Sequence, residues 1–373
     1  MRQQNLQDWL TLTFLPGLGS TLIRRLVERF GSSARVLTAD AAQMGGVEGL
    51  GKKVIRLFGD RAVVDEARRR ARRELQDLSR QQVSVVCLDE QSYPPLLRTI
   101  HDPPVLLYCR GSLECLQQPA VAIVGSRAAT TYGRRISFEL GRDLARRGIC
   151  VVSGMAFGID GEAHRGALAG GGPTVGVLGC GIDVVYPRQH ARLFAAAAAN
   201  GVLVSEYALG AGPEAFRFPA RNRIISGLVQ GVVVVEATRQ SGSLITARLA
   251  LEQDREVFAV PGRVDSLKSR GAHRLLQQGA RLVGCADDIL EELNLAASMH
   301  TIPGPEAGSS QPAGLSEVEQ RLLSCLDVYP VNIDELVRLA ECAPAEVHDL
   351  LLRLELKGLV RQLPGQQYER IQG

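Results

Sequence analysis

Six short apolar runs recur between residues 119 and 293: Val121–Val124, Ile149–Val152, Thr174–Leu178, Val202–Val204, Val232–Val235 and Val257–Val260. Each is apolar throughout rather than alternating, and helical stretches lie between most of them. Strands read this way when both faces of a parallel sheet are covered by helices, because no face is left for water. The pattern predicts a doubly wound, mostly parallel, extended Rossmann-like α/β domain. Val83–Leu88 and Val105–Tyr108, joined by SYPPLLRTIHDPP, read as two further strands that extend the sheet.

The flanks have a different texture. Up to about residue 80 the chain reads as helices only, with Leu22, Ile23, Leu26, Val27 and Phe30 forming a stripe at helical spacing. Leu15-Pro16-Gly17-Leu18-Gly19 precedes that stripe, and a similar turn, Val47-Glu48-Gly49-Leu50-Gly51, stands before Lys52-Lys53. Such turns suit a SAM/helix-hairpin-helix-like module that offers backbone amides to a phosphate. They suit a plain helical bundle with glycine turns equally well. Residues 294–313 are rich in Ala, Pro, Gly and Ser and read as a linker.

Beyond the linker, three apolar stripes mark three helices: Val318, Leu322 and Leu323; Ile333, Leu336 and Leu339; Val347, Leu350, Leu351 and Leu354. Pro344 suits the first turn of the third. A hairpin over 358–371 would complete a winged helix. The expected organisation is therefore 1–80 helical, 81–293 Rossmann-like, 294–313 linker and 314–373 winged-helix-like. Residues 314–373 carry 6 basic against 10 acidic side chains, whereas 119–293 carry 20 against 16. A polyanion is thus expected on the body, and the acidic third helix suits a protein partner at least as well as DNA.

In an open parallel sheet, ligands sit beyond the C-terminal strand ends. Gly125-Ser126-Arg127 follows the first run, and Ser153-Gly154 through Gly158-Ile159-Asp160 follows the second. Farther on come Gly179-Cys180-Gly181, Ser205-Glu206, the loop Phe216-Arg217-Phe218-Pro219-Ala220-Arg221-Asn222-Arg223, and Ser241-Gly242-Ser243. Small residues admit a ligand to the backbone, hydroxyls and helix N-termini donate, and arginines bind phosphate bidentately. Their convergence predicts a phosphate-binding cleft. Each residue also has a plainer reading. Arg221 or Arg223 could pair with Glu206 or Glu236, Ser241 could be an N-cap, and Asp160 and His164 read as a cap and a structural histidine.

No nucleophile with an orienting base appears, nor any metal-spaced cluster, so a binder rather than an enzyme is expected, with neither metal nor cofactor. A nicotinamide enzyme is disfavoured because the first turn lacks G-x-G-x-x-G. Eight scattered cysteines without a Cys-x-x-Cys pair read as reduced thiols of a cytoplasmic protein. The N-terminal MRQQNLQDWLTLTF does not read as a signal peptide, and no run of about 18 apolar residues predicts a membrane span.

The series GSR, SGMAFGIDGEAH, GCGIDVVYP, FPARNRIISGL, VVEA and SGSLITARLALEQDREVFAVPG resembles the DprA/Smf family of DNA-processing proteins over about residues 80–285. The resemblance implies binding and protection of single-stranded DNA, loading of RecA recombinase on strands coated by single-strand-binding protein, a homodimer, and no catalytic activity. It assigns phosphate contacts to Gly125, Ser126, Arg127, Gly154, Gly158, Phe218, Arg221, Asn222, Arg223, Ser241, Gly242 and Ser243. Many relatives carry Arg or Lys where this chain has Ala220, a loss that Arg217 could offset. Gly271–Ala280 and the strand after it are the implied dimer contact. Phe157, Phe216 and Phe218 are the candidates for base stacking. The alternative is a nucleotide phosphoribohydrolase of the lysine-decarboxylase-like group, whose Pro-Gly-Gly-x-Gly-Thr turn is replaced here by Arg239-Gln240-Ser241-Gly242-Ser243-Leu244.

Overall fold

The computed structural model describes residues 2–295, 316–326, 331–340, 342–363 and 365–370. From residue 296 onward the expected linker lies outside them. The chain divides into two compact units, Met1–Gly304 and Pro305–Gly373.

The first unit holds a nine-stranded sheet. Its strands are β1 (Ser84–Cys87), β2 (Leu106–Gly111), β3 (Ala120–Val124), β4 (Cys150–Ser153), β5 (Thr174–Leu178), β6 (Val202–Ser205), β7 (Gly231–Val234), β8 (Glu256–Ala259) and β9 (Arg281–Leu282). They lie in the order β1-β2-β6-β5-β4-β3-β7-β8-β9. From β6 to β9 every pairing is parallel. The two expected extra strands join antiparallel at the β6 edge.

Apolar runs without alternation are explained by the two cores they feed. Ala120, Ala122 and Val124 of β3 enter one core, and Val121 and Ile123 enter the other; Val232 and Val234 of β7 divide from Val233 in the same way. Each such buried valine or isoleucine contributes about 1.5–3 kcal/mol relative to exposure. Strand order reverses between β3 and β7, which makes their C-terminal ends the switch point of the sheet.

The helical segment shares a core with the sheet. Trp9, Leu10, Ile23 and Leu26 pack in one cluster with Val85, Tyr108, Leu178 and Leu203. The two glycine turns lead into the helices Ser20–Phe30 and Lys52–Gly59. Gly17 and Gly49 have φ of 76° and 80°, left-handed values open to glycine. A Cβ on Gly17 would touch Val54, and one on Gly49 would touch Leu22, so each turn packs on the helix that follows the other.

The second unit contains the helices Glu317–Ser324, Ile333–Ala340 and Pro344–Leu356, and the strands β10 (Val331–Asn332), β11 (Val360–Leu363) and β12 (Gln367–Arg370). β12 pairs antiparallel with both others, and the three helices close over Leu322, Leu336, Leu351 and Leu354. This is a winged helix, with Pro344 in the first turn of its third helix. Leu339 departs from the expected apolar stripe. It is 52% exposed, because Ile333, Leu336 and Ala340 already complete the buried face of that helix.

Candidate nucleic-acid interface

A cleft of about 590 Å³ opens at the switch point, between the turn after β3 and the segment after β7. Its walls take Ser126 and Arg127 from the first, Ser241 and Gly242 from the second, and Phe218 and Asn222 from the helix Arg217–Gly227.

Arg127 is exposed, and no carboxylate or carbonyl pairs with its guanidinium among the described residues. It lies over the Phe218 ring at 5.3 Å. The turn that carries it is propped from below. Gly158 has φ 73°, and a Cβ there would lie 2.6 Å from the Arg127 carbonyl oxygen and closer still to that of Ser126. The Ile159 amide donates to the Ser126 carbonyl at 3.2 Å. Gly125 is packed tightly, its Cβ position 2.6 Å from the Ile159 side chain. Glycine here serves strand–helix packing.

Arg221 forms the floor. It is 4% exposed and donates to the carbonyls of Gly154, at 2.8 Å, and of Val177. A side chain on Gly154 would collide with this guanidinium, which gives that glycine its role. Burial lowers the Arg221 pKa to about 10, so the group still carries its charge at neutral pH. Asp160 sits beside it and accepts from the Gly154 amide at 3.1 Å. Burial raises the Asp160 pKa, against the opposing pull of Arg221 and of the Ala156 and Gly154 amides. His164 is buried one turn farther along the same helix, Ile159–Ala169, and meets Thr174 Oγ1 at 2.7 Å. Burial, with His190 and nearby arginines, lowers its pKa to about 3, and it stays neutral. Asp160 and His164 thus have separate structural partners.

On the opposite lip, Ser241 caps the helix Gly242–Glu252, its Oγ accepting from the Ser243 amide and meeting Ser243 Oγ at 2.8 Å. A Cβ on Gly242 would meet nothing within 4 Å, so its backbone is open to a ligand. Asn222 accepts from Arg221 Nε at 3.2 Å and reaches toward the Gly242 carbonyl at 3.5 Å, joining floor to lip.

Four expected site residues do not line the cleft: Gly154 and Gly158, which seat Arg221 and the Ser126–Arg127 turn, and Arg223 and Arg217. Arg223 pairs with Glu206 at 2.6 Å and Asp102 at 3.3 Å, and Asp102 also accepts from Thr21 at 2.9 Å. Arg223 therefore fastens the cleft helix to the helical segment. Arg217 pairs with Glu214 at 2.9 Å, donates to the Gly212 carbonyl at 2.8 Å and lies over Tyr207.

Among the aromatic candidates, Phe218 lines the cleft, Phe157 lines a recess beneath it, and Phe216 is 67% exposed beside Arg217. Tyr186 was not expected as a site residue. Its ring stands 5.5 Å from Phe218 and lines both cleft and recess. Its place in the loop after a strand was the available signal. Among the described residues no group of three or more His, Cys, Asp or Glu could hold a metal, and no helix is long and apolar enough to cross a membrane.

An extended Rossmann-like sheet, an anion-suited crevice at its switch point and a following winged helix define the class. Residues 84–294 match the model for DNA recombination-mediator protein A, and residues 305–366 match the DprA winged helix domain. The chain belongs to this DprA/Smf family of DNA-processing proteins. It is 34% identical to protein Smf of Synechocystis, covering 97% of this chain and 98% of the relative. It is 43% identical to protein Smf of Escherichia coli over 74% of this chain and 75% of the relative. The solved DprA of Streptococcus pneumoniae aligns with TM-score 0.64 and 37% identity, covering 76% of this chain and 97% of the other. DNA processing protein A of Helicobacter pylori, whose structure concerns its single-stranded DNA binding mode, aligns with TM-score 0.52 and 31% identity over 59% and 98%.

Proposed function

We propose that this protein binds single-stranded DNA in the switch-point cleft without sequence preference, protects it and helps load RecA on strands coated by single-strand-binding protein. It acts in the cytoplasm as a homodimer and needs no cofactor. The observation that carries the binding step is Arg127, an unpaired guanidinium over the Phe218 ring that lines the same cleft as the open backbone at Gly242. A phosphate meets the cation and the amides, while a base meets Phe218 and Tyr186, a pairing of contacts that every nucleotide can satisfy. The single-strand binding mode described for the Helicobacter pylori relative supports the same reading, and family membership supports the recombinase step.

Salt-titrated fluorescence anisotropy with labelled oligonucleotides tests it. Arg127→Ala is expected to weaken binding of all sequences alike. It should also reduce the slope of log K against log salt by about 0.7, one phosphate on a single strand. Unchanged binding at matched salt removes Arg127 from the site. Release of free base from nucleoside monophosphates by the pure protein would favour the phosphoribohydrolase instead.

A further inference from the structure

The two glycine turns of the helical segment are copies of one unit: Gly17, Gly19 and Leu22 correspond to Gly49, Gly51 and Val54. Their packing is reciprocal. A Cβ on Gly17 would lie 3.6 Å from Val54, and one on Gly49 would lie 3.5 Å from Leu22, so exchanging the copies exchanges the contacts. Such a pair has the self-complementary contacts of a two-fold relation.

The copies differ in the residues that follow. In the first, Ser20 and Thr21 donate to Asp102 Oδ1 at 3.2 and 2.9 Å, so a carboxylate of this same chain fills that place. In the second, the corresponding residues are Lys52 and Lys53. Both are exposed, as is Arg56 one turn on, and the helix Lys52–Gly59 has no acidic residue. Among the described residues none of these three side chains has an ion pair or a hydrogen bond. Arg25 and Arg29 rest on the loop that leads into this helix, donating to the Glu48 carbonyl at 2.9 Å and the Gly46 carbonyl at 3.3 Å. Glu48 is the one carboxylate of that loop, 3.8 Å from Arg25.

Folding does not account for this charge. Elsewhere in the helical segment arginines pair within their own helix: Arg24 with Glu28 at 3.0 Å, Arg69 with Glu66 at 2.8 Å and Arg80 with Asp77 at 3.2 Å. Lys52 and Arg56, four residues apart, repel, and cations in a first turn oppose the helix dipole. A polyanion reverses both costs. No aromatic ring of residues 2–80 is exposed, so the patch offers cations without a stacking surface. A single strand uses both kinds of contact, whereas a duplex keeps its bases stacked inside and presents phosphates.

We propose that Lys52, Lys53 and Arg56 hold the phosphate backbone of double-stranded DNA. This site is separate from the switch-point cleft and lies outside the implied dimer contact.

Salt-titrated anisotropy on the full chain tests it, with a blunt duplex of about 20 base pairs and an oligothymidylate of about 6 nucleotides. For Lys52→Gln/Lys53→Gln/Arg56→Gln, the duplex slope of log K against log salt should fall by about 2.7, three phosphates at about 0.9 each. Duplex affinity should fall at least tenfold and oligothymidylate affinity stay within about twofold. Arg127→Ala is expected to do the opposite. Lys52→Arg/Lys53→Arg/Arg56→Lys keeps the charge and should retain the duplex slope. An unchanged duplex slope in the glutamine variant, or no duplex binding by the unaltered protein, overturns the proposal and leaves the cleft reading intact. Equal losses on both ligands place the patch on the single-strand path and overturn the duplex site. Failure of the unaltered protein to bind the oligothymidylate overturns the cleft reading alone.

Discussion

Arg127, Arg221 and Arg223 stand within one expected ligand set, yet their surroundings give them three tasks. Arg127 is free to meet a phosphate, Arg221 ties strand ends together from beneath, and Arg223 is spent on Glu206 and Asp102. The spacing of Arg221 and Arg223 could not separate them, because the deciding partners are remote. The carbonyls that hold Arg221 lie 67 and 44 residues away in sequence. Arg221→Ala would leave those carbonyls unsatisfied and Asp160 without its nearby cation. A loss of about 2–4 kcal/mol of stability is expected, together with weaker DNA binding. Arg127→Ala should melt as the unaltered protein does. Thermal denaturation separates the two, and an unshifted midpoint for Arg221→Ala would contradict its structural role.

At the level of elements, the central strands were legible because burial on both faces leaves a continuous apolar run. β5 spans Thr174–Leu178 as expected, and β3 and β6 each differ from their expected runs by one residue at one end. The loops were legible in composition but not in function. Gly125, Gly154 and Gly158 were expected to admit a phosphate, whereas the structure uses them to seat Ile159, Arg221 and the Ser126–Arg127 turn. Gly242 alone of the four has open space where a side chain would project. Gly158→Ala is therefore expected to cost about 1–3 kcal/mol, through the positive φ and the collision with the turn. It should also weaken single-strand binding several-fold by displacing Arg127. Gly242→Ala should leave stability unchanged. Paired denaturation and anisotropy measurements check this, and equal stability of the two variants would refute the supporting role of Gly158.

Across the whole molecule, each compact unit closes its own core. The winged helix does not offer the basic third helix of a typical DNA reader. Exposed Asp349 pairs with Arg353 at 2.7 Å, and Leu352 and Leu356 are exposed on the same helix. Removal of residues 296–373 is accordingly expected to leave single-strand affinity within about twofold and to leave the melting of the first unit intact. A gel shift with single- and double-stranded oligonucleotides reads the result, and a large loss would move DNA recognition into the removed part.

The sequence by itself determined the sheet, the winged helix and the edge at which small residues, hydroxyls and arginines gather. These follow from periodicity and strand-end chemistry, which are local. Only the tertiary structure decided which arginine stays free and that Tyr186 joins Phe218. Those outcomes depend on how far each charge is buried and on which remote carbonyl or carboxylate reaches it first.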